Sequence, residues 1–148
     1  MSLGLNGTNQ NKVDAGYRSL RILWLAILVS VIGLFFVTRL VEITPRGIQI
    51  LFWILMAVGV ATFGASFVLK YKLLKQATWK RNPGQVQIAY ILAFALCEVT
   101  GIFGAIAYFV TGEQHYYFFF VLSSFGILLH KPQRNDVLAA YGGNDLLK

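Results

Sequence analysis

Four uninterrupted apolar blocks dominate this chain: Leu20 to Val37, Ile48 to Leu69, Val86 to Thr111 and Tyr116 to Leu129, each bounded by charge, Gly or Pro. Blocks of this length leave few choices. Hydrocarbon offers no partners for backbone N–H and C=O groups, so a segment that enters it must be a helix or part of a closed barrel, and these runs are too long for strands. With 57% of its 148 residues hydrophobic, the chain suits lipid better than a water-soluble core. The expected fold class is all-α, a polytopic membrane protein with four transmembrane helices over about 19–38, 48–70, 86–111 and 115–130, paired as two antiparallel hairpins. The fourth block is shorter than the roughly 20 residues an untilted span requires, and needs interfacial side chains at its ends to cross.

Basic residues give an orientation. Lys12, Arg18 and Arg21 precede the first helix; Lys70, Lys72, Lys75, Lys80 and Arg81 separate the second from the third; Lys131, Arg134 and Lys148 follow the fourth. The other two connections hold only Arg39 and Arg46 in one and no Lys or Arg in the other. The positive-inside rule then places both termini and the middle connection in the cytoplasm, an N-in/C-in arrangement in what is expected to be a bacterial inner (plasma) membrane. The net charge of +7 is thus topological. Its secondary meaning is attraction to anionic lipid at the cytoplasmic face, and nucleic acid is not an expected partner.

Residues 1–17 read as a polar tail, mobile or ordered by a partner, 18–131 as the membrane domain, and 132–148 as a cytoplasmic tail in which Asn135 or Asp136 could cap a short helix ended by Gly142 and Gly143. The tail before the first helix is Asn-rich and no small-residue cleavage pattern follows the apolar block, so that helix is expected to be retained. Pro45 is expected to start the second helix, with Glu42 free to pair with Arg39 or Arg46. The Arg81–Asn82–Pro83–Gly84 run should end the second helix and reverse the chain.

No loop is long enough for a catalytic domain, and no nucleophile–base pair, phosphate-binding loop or paired carboxylates recur at usable spacing, so an enzyme is not expected. No cofactor or metal is expected either. Cys97 is single, and His115 and His130 lie roughly 22 Å apart along one helix, too far to share a metal. Both histidines suit interfacial anchoring, and Tyr116 to Phe120 suit an aromatic belt, with quinone or lipid-tail contact as the sharper alternative.

Glu98 is the only acidic residue deep in an apolar block. A charged side chain at that depth costs about 2.5–3.5 kcal/mol on insertion scales, which makes it a functional hypothesis. Gly101, Gly104 and Ala105 follow it and Ala95 precedes it, and small residues let another helix approach, so Glu98 is expected to face protein. Ser30, Thr62, Ser123 and Ser124 are its candidate hydroxyl partners. Three readings stand: a hydrogen bond that fixes packing, binding of a proton or ion, and contact with a lipid or quinone headgroup. A second small-residue stripe, Ala57, Gly59, Ala61, Gly64 and Ala65, suits close helix packing within the chain or between copies.

The Gly/Ala-bearing second helix, the Arg81–Asn82–Pro83 turn, and Glu98 followed by Ile102, Phe103 and Gly104 together resemble, over residues from about 54 to 112, the helical hairpin of rotary ATPase proteolipids, the ring-forming c subunits. The resemblance implies a cytoplasmic polar loop and a carboxylate, here Glu98, that binds the translocated proton or sodium ion. The chain is equally similar to short four-helix bacterial membrane proteins of unassigned role. The leading expectation is a small non-enzymatic membrane subunit that assembles through small-residue faces with copies of itself or with other membrane subunits. The alternative is a proteolipid-like proton or ion binder, or a small transporter, using Glu98.

Overall fold

A computed structural model describes residues 7–44, 49–80 and 82–140. The described residues form helices and turns with no strand: α1 (Gly7–Leu40), α2 (Gln49–Trp79), α3 (Pro83–Thr111), a single 3-10 turn at Gln114–Tyr116, α4 (Tyr117–Leu129) and α5 (Arg134–Ala140). Three helices are long and apolar enough to cross a membrane and α4 is shorter. The chain has the make-up of a helical membrane protein. The expected turn at Pro45 to Gly47, Arg81 and the expected stop at Gly142 and Gly143 lie outside the described residues.

The boundaries of α3 follow from local chemistry. Asn82 has extended backbone geometry, its side chain accepts from the Gly84 N–H at 3.0 Å, and Pro83 occupies the first helical position, where a missing N–H costs nothing. At the other end Gly112 takes φ 66°, and its N–H closes on Tyr108 O at 2.9 Å. The Thr111 hydroxyl accepts from the Glu113 N–H at 3.1 Å, completing the tight link to α4.

α1 begins at Gly7, well inside the segment read from sequence as a tail. Val13 and Leu20, seven residues apart on one helical face, are buried with Val86 and Val137, and Gly16 between them brings Gln87 and Val137 close. This thin stripe orders a polar segment that composition alone marks as loose. α2 likewise continues as far as Trp79, with Ala77 fully buried.

α3 is the central helix, packed against α2, α1, α4 and α5; α4 leans on α1, α3 and α2, whereas α1 and α2 do not pack on each other, so the first of the two expected hairpins is not a packed pair and α3 stands between its helices. One side of α3, carrying Ile91, Leu92, Ala95 and Ile102, is therefore left open between them. The core forms three clusters along the axis. The proximal one joins Val13, Leu20, Ala77, Val86, Tyr90, Phe94, Val137 and Ala140; the middle one centres on Val31, Cys97 and Ile127; the distal one joins Phe52, Ala107 and Phe119. The proximal end thus gathers the start of α1, the end of α2, the start of α3, and α5. Large apolar side chains such as Val29, Val60, Val121 and Phe125 point outward, the expected surface of a helix bundle in hydrocarbon.

Candidate functional site

Glu98 stands at the middle of α3, on its flank toward α1, and is partly exposed. The Ser30 hydroxyl donates to Glu98 Oε1 at 3.0 Å, and Ser30 itself lies on an exposed face of α1. Among the described residues nothing donates to Oε2. Ala95 and Ile102, one helical turn to either side, are exposed. The carboxyl therefore meets one of its four candidate partners, Ser30 of α1, and otherwise looks out of the α1–α3 cleft.

The other three candidate partners are engaged elsewhere. Thr62 shares a hydrogen bond with Thr100 at 3.1 Å and donates to Gly59 O at 2.9 Å, joining α2 to α3. Ser123 donates to Cys97 O at 2.6 Å, joining α4 to α3. Ser124 lines a groove between α1 and α4.

The small residues divide in the same way. A Cβ at Gly59 would meet Phe119 at 3.1 Å, one at Gly101 would meet the Ser123 hydroxyl at 3.1 Å, and one at Gly104 would meet Phe119 Cβ at 2.7 Å. With buried Ala105 these positions let α2, α3 and α4 approach closely. Ala57, Ala61, Gly64 and Ala65 instead face outward, and a Cβ at Gly64 would meet nothing within 4 Å.

The sequence reading missed a polar network beneath α4. His130, expected at the interface, is 1% exposed, caps α4, and has its ring 4.3 Å from that of Phe67. Ser66 spends its hydroxyl proton on Phe63 O at 2.6 Å, so the 2.9 Å contact to His130 Nε2 is a hydrogen bond donated by the imidazole. The Cys97 thiol, also buried, donates to the same oxygen at 3.7 Å. Toward the proximal end the Tyr90 hydroxyl donates to Asp136 and accepts from the Gln133 N–H at 3.1 Å, while Lys70 Nζ lies 4.3 Å from the Tyr90 ring centre. Arg134 reaches Asp14 Oδ1 through Nε at 3.0 Å and Nη2 at 2.9 Å. The i, i+4 pair Ser66 and Lys70 was the available signal, but nothing in the sequence said which helix it meets.

At the distal end His115 Nδ1 lies 2.7 Å from Glu113 Oε1. Of the two pairings expected for Glu42, that with Arg39 is not made, the ion pairs of the described residues being His115–Glu113 and Arg134–Asp14, and that with Arg46 lies outside the described residues. Three or more His, Cys, Asp or Glu side chains able to hold one metal do not come together among the described residues.

Comparison with known proteins adds no relative: no family model, no curated protein and no solved structure matches the chain.

Proposed function

We propose that this chain is a non-enzymatic membrane subunit that assembles, with copies of itself or with other membrane proteins, across the open side of α3 that carries Glu98. The observation behind this is the place of the carboxyl: mid-helix, partly exposed among apolar neighbours, held by Ser30 alone. In hydrocarbon such a group is costly, by about 2.5–3.5 kcal/mol when charged. A second protein surface that donates to Oε2 removes that cost. Ala95 beside it, and the outward Ala57, Ala61, Gly64 and Ala65 of α2, offer low surfaces on which another helix can pack. The distribution of Lys and Arg supports an N-in/C-in orientation with the proximal end in the cytoplasm.

The mass of the particle extracted in mild detergent tests assembly directly. A uniform multiple of the chain supports self-assembly, and co-purifying larger subunits support a hetero-complex. A lone chain, together with failure of an Ala95→Cys variant in a Cys97→Ser background to cross-link to anything in native membranes, defeats the proposal.

A second reading is favoured by the same exposed oxygen: Glu98 takes up and releases a proton or ion, as in a proteolipid-like ring or a small transporter. Carbodiimides modify protonated carboxyls in apolar surroundings. Rapid, pH-dependent labelling of Glu98 supports this reading, and inertness across the accessible pH range removes it.

A further inference from the structure

Two depressions, one polar and one apolar, lie side by side at the distal end. The first is polar, about 750 Å³, and is lined by Thr38, Arg39, Glu42, Gln114 and Tyr117 among others. The second is an apolar groove of about 520 Å³ between α1 and α4, with walls from Val31, Phe35, Phe120, Val121 and Leu128. They share Arg39 and Tyr117, so the polar chamber and the groove adjoin at these two side chains.

The chamber is held in shape from both sides. The Tyr108 hydroxyl donates to Val41 O, fixing the chain just past the end of α1. The Phe35 ring packs edge-on against Phe120 at 5.4 Å and also lies 5.4 Å beneath the Arg39 guanidinium, which places that charge at the junction of chamber and groove. From Val31 to Arg39 the groove follows about 12 Å of helix axis at 1.5 Å per residue. That is most of one leaflet, about 15 Å of a hydrocarbon core about 30 Å thick.

The charges in the chamber select its occupant. Arg39 and Glu42 line the same space without pairing to each other. A guanidinium recognises a phosphodiester, and a nearby carboxylate recognises an ammonium. We propose that this site binds one glycerophospholipid with a zwitterionic phosphoethanolamine headgroup, its phosphate on Arg39, its ammonium toward Glu42, and one acyl chain in the α1–α4 groove. The site differs from the cytoplasmic anionic-lipid contact expected from the basic residues, because it lies at the opposite end of the bundle. It depends on membrane insertion but not on assembly, since every residue invoked belongs to one chain.

Native mass spectrometry of the full chain in mild detergent, titrated separately with dioleoyl phosphatidylethanolamine, phosphatidylglycerol and phosphatidylcholine, tests it. The expected result is one saturable phosphatidylethanolamine per chain, bound more tightly than the other two lipids. Arg39→Ala should weaken all three by about tenfold, the size of one charge-assisted contact. Glu42→Gln should bring phosphatidylethanolamine down to the level of phosphatidylcholine. Val121→Trp, at a position 62% exposed and so harmless to the core, should fill the groove and abolish saturable binding. Preference for phosphatidylglycerol, equal binding of the three lipids, or wild-type binding by Arg39→Ala and Val121→Trp would each overturn the proposal. A monomeric particle that still binds the lipid separates this result from any failure of the assembly proposal.

Discussion

The tightest glycine contact among the described residues makes Gly104→Ala the most discriminating stability test. A methyl group there would sit 2.7 Å from Phe119 Cβ, 3.2 Å from Phe120 Cε2 and 3.3 Å from Tyr116 O. Ordinary carbon–carbon contact needs about 3.5–4.0 Å, so α4 must retreat from α3 by nearly an ångström. Phe119 Cβ is bonded to the α4 backbone and cannot rotate out of the way. Overpacking of this kind costs about 1–3 kcal/mol, partly offset by the about 0.8–1.0 kcal/mol that alanine gains over glycine inside a helix. Gly64→Ala isolates the second effect, because its new methyl would meet nothing within 4 Å. Both substitutions carry the same propensity gain, so their difference reports overpacking alone, and Gly104→Ala should be the less stable by about 1–3 kcal/mol. Reversible unfolding in mixed micelles, followed by tryptophan fluorescence, measures it. Equal stabilities, or a more stable Gly104→Ala, would refute the tight α3–α4 contact.

Other substitutions probe the polar contacts. Tyr90→Phe removes the partner of both Asp136 and the Gln133 N–H, so amide exchange in α5 should accelerate by about tenfold or more, as for a loss of 1–2 kcal/mol. Arg134→Ala breaks a pair whose side chains are 47% and 60% exposed, and should change stability by no more than about 1 kcal/mol, less at high salt. Trp24→Phe deletes the indole N–H that donates to Ile127 O at 2.7 Å, for which a loss of about 0.6–1.7 kcal/mol is expected in the same unfolding assay. Glu98→Gln keeps an acceptor for Ser30, so the helical fold should survive, as circular dichroism can show, while carbodiimide labelling at this position disappears.

The long helices were legible because helices long and apolar enough to cross a membrane announce themselves as unbroken apolar runs, and Asn82, Pro83 and Gly112 mark helix ends by local rules that need no tertiary information. The start of α1 was not, because Val13 and Leu20 are too sparse to outweigh a polar composition until α3 and α5 supply the surface they bury against. The mid-helix place of Glu98 was legible, and the side of α3 on which it settles was not, for a reason of angle. At about 100° per residue, Gly101 lies about 60° to one side of Glu98 and Ala95 about 60° to the other. Gly101 faces the core and Ala95 faces outward. A position between them is a rim, and small neighbours cannot say on which side of the rim a carboxyl settles. Of its hydroxyl candidates, depth along the helix picked out Ser30 no better than Thr62 or Ser123, since the choice depends on how each helix is rotated.

The end of the short α4 shows how polar groups hold this bundle together. Thirteen residues cover about 20 Å, well short of a hydrocarbon core about 30 Å thick. Its last carbonyls therefore end among other helices, where an unpaired acceptor is costly. They find donors at once: Ile127 O receives the Trp24 indole, Gly126 O the His130 N–H at 3.0 Å, and Leu128 O the Lys131 N–H at 3.2 Å. The chain then turns at Pro132, and α5 fills the rest of the column by burying Val137 and Ala140 against α1 and α3. At the break, His130, Ser66 and Cys97 satisfy one another, and Tyr90 serves Asp136 and Gln133. These contacts tie α4 and α5 to α2 and α3. Glu98 contrasts with them at nearly the same level of α3, one residue from Cys97: its single bond comes from an exposed serine, and its second oxygen is unclaimed among the described residues. Among the described residues of this mid-helix region, Glu98 is thus set apart from the buried contacts of α4 by its single, rim-side hydrogen bond.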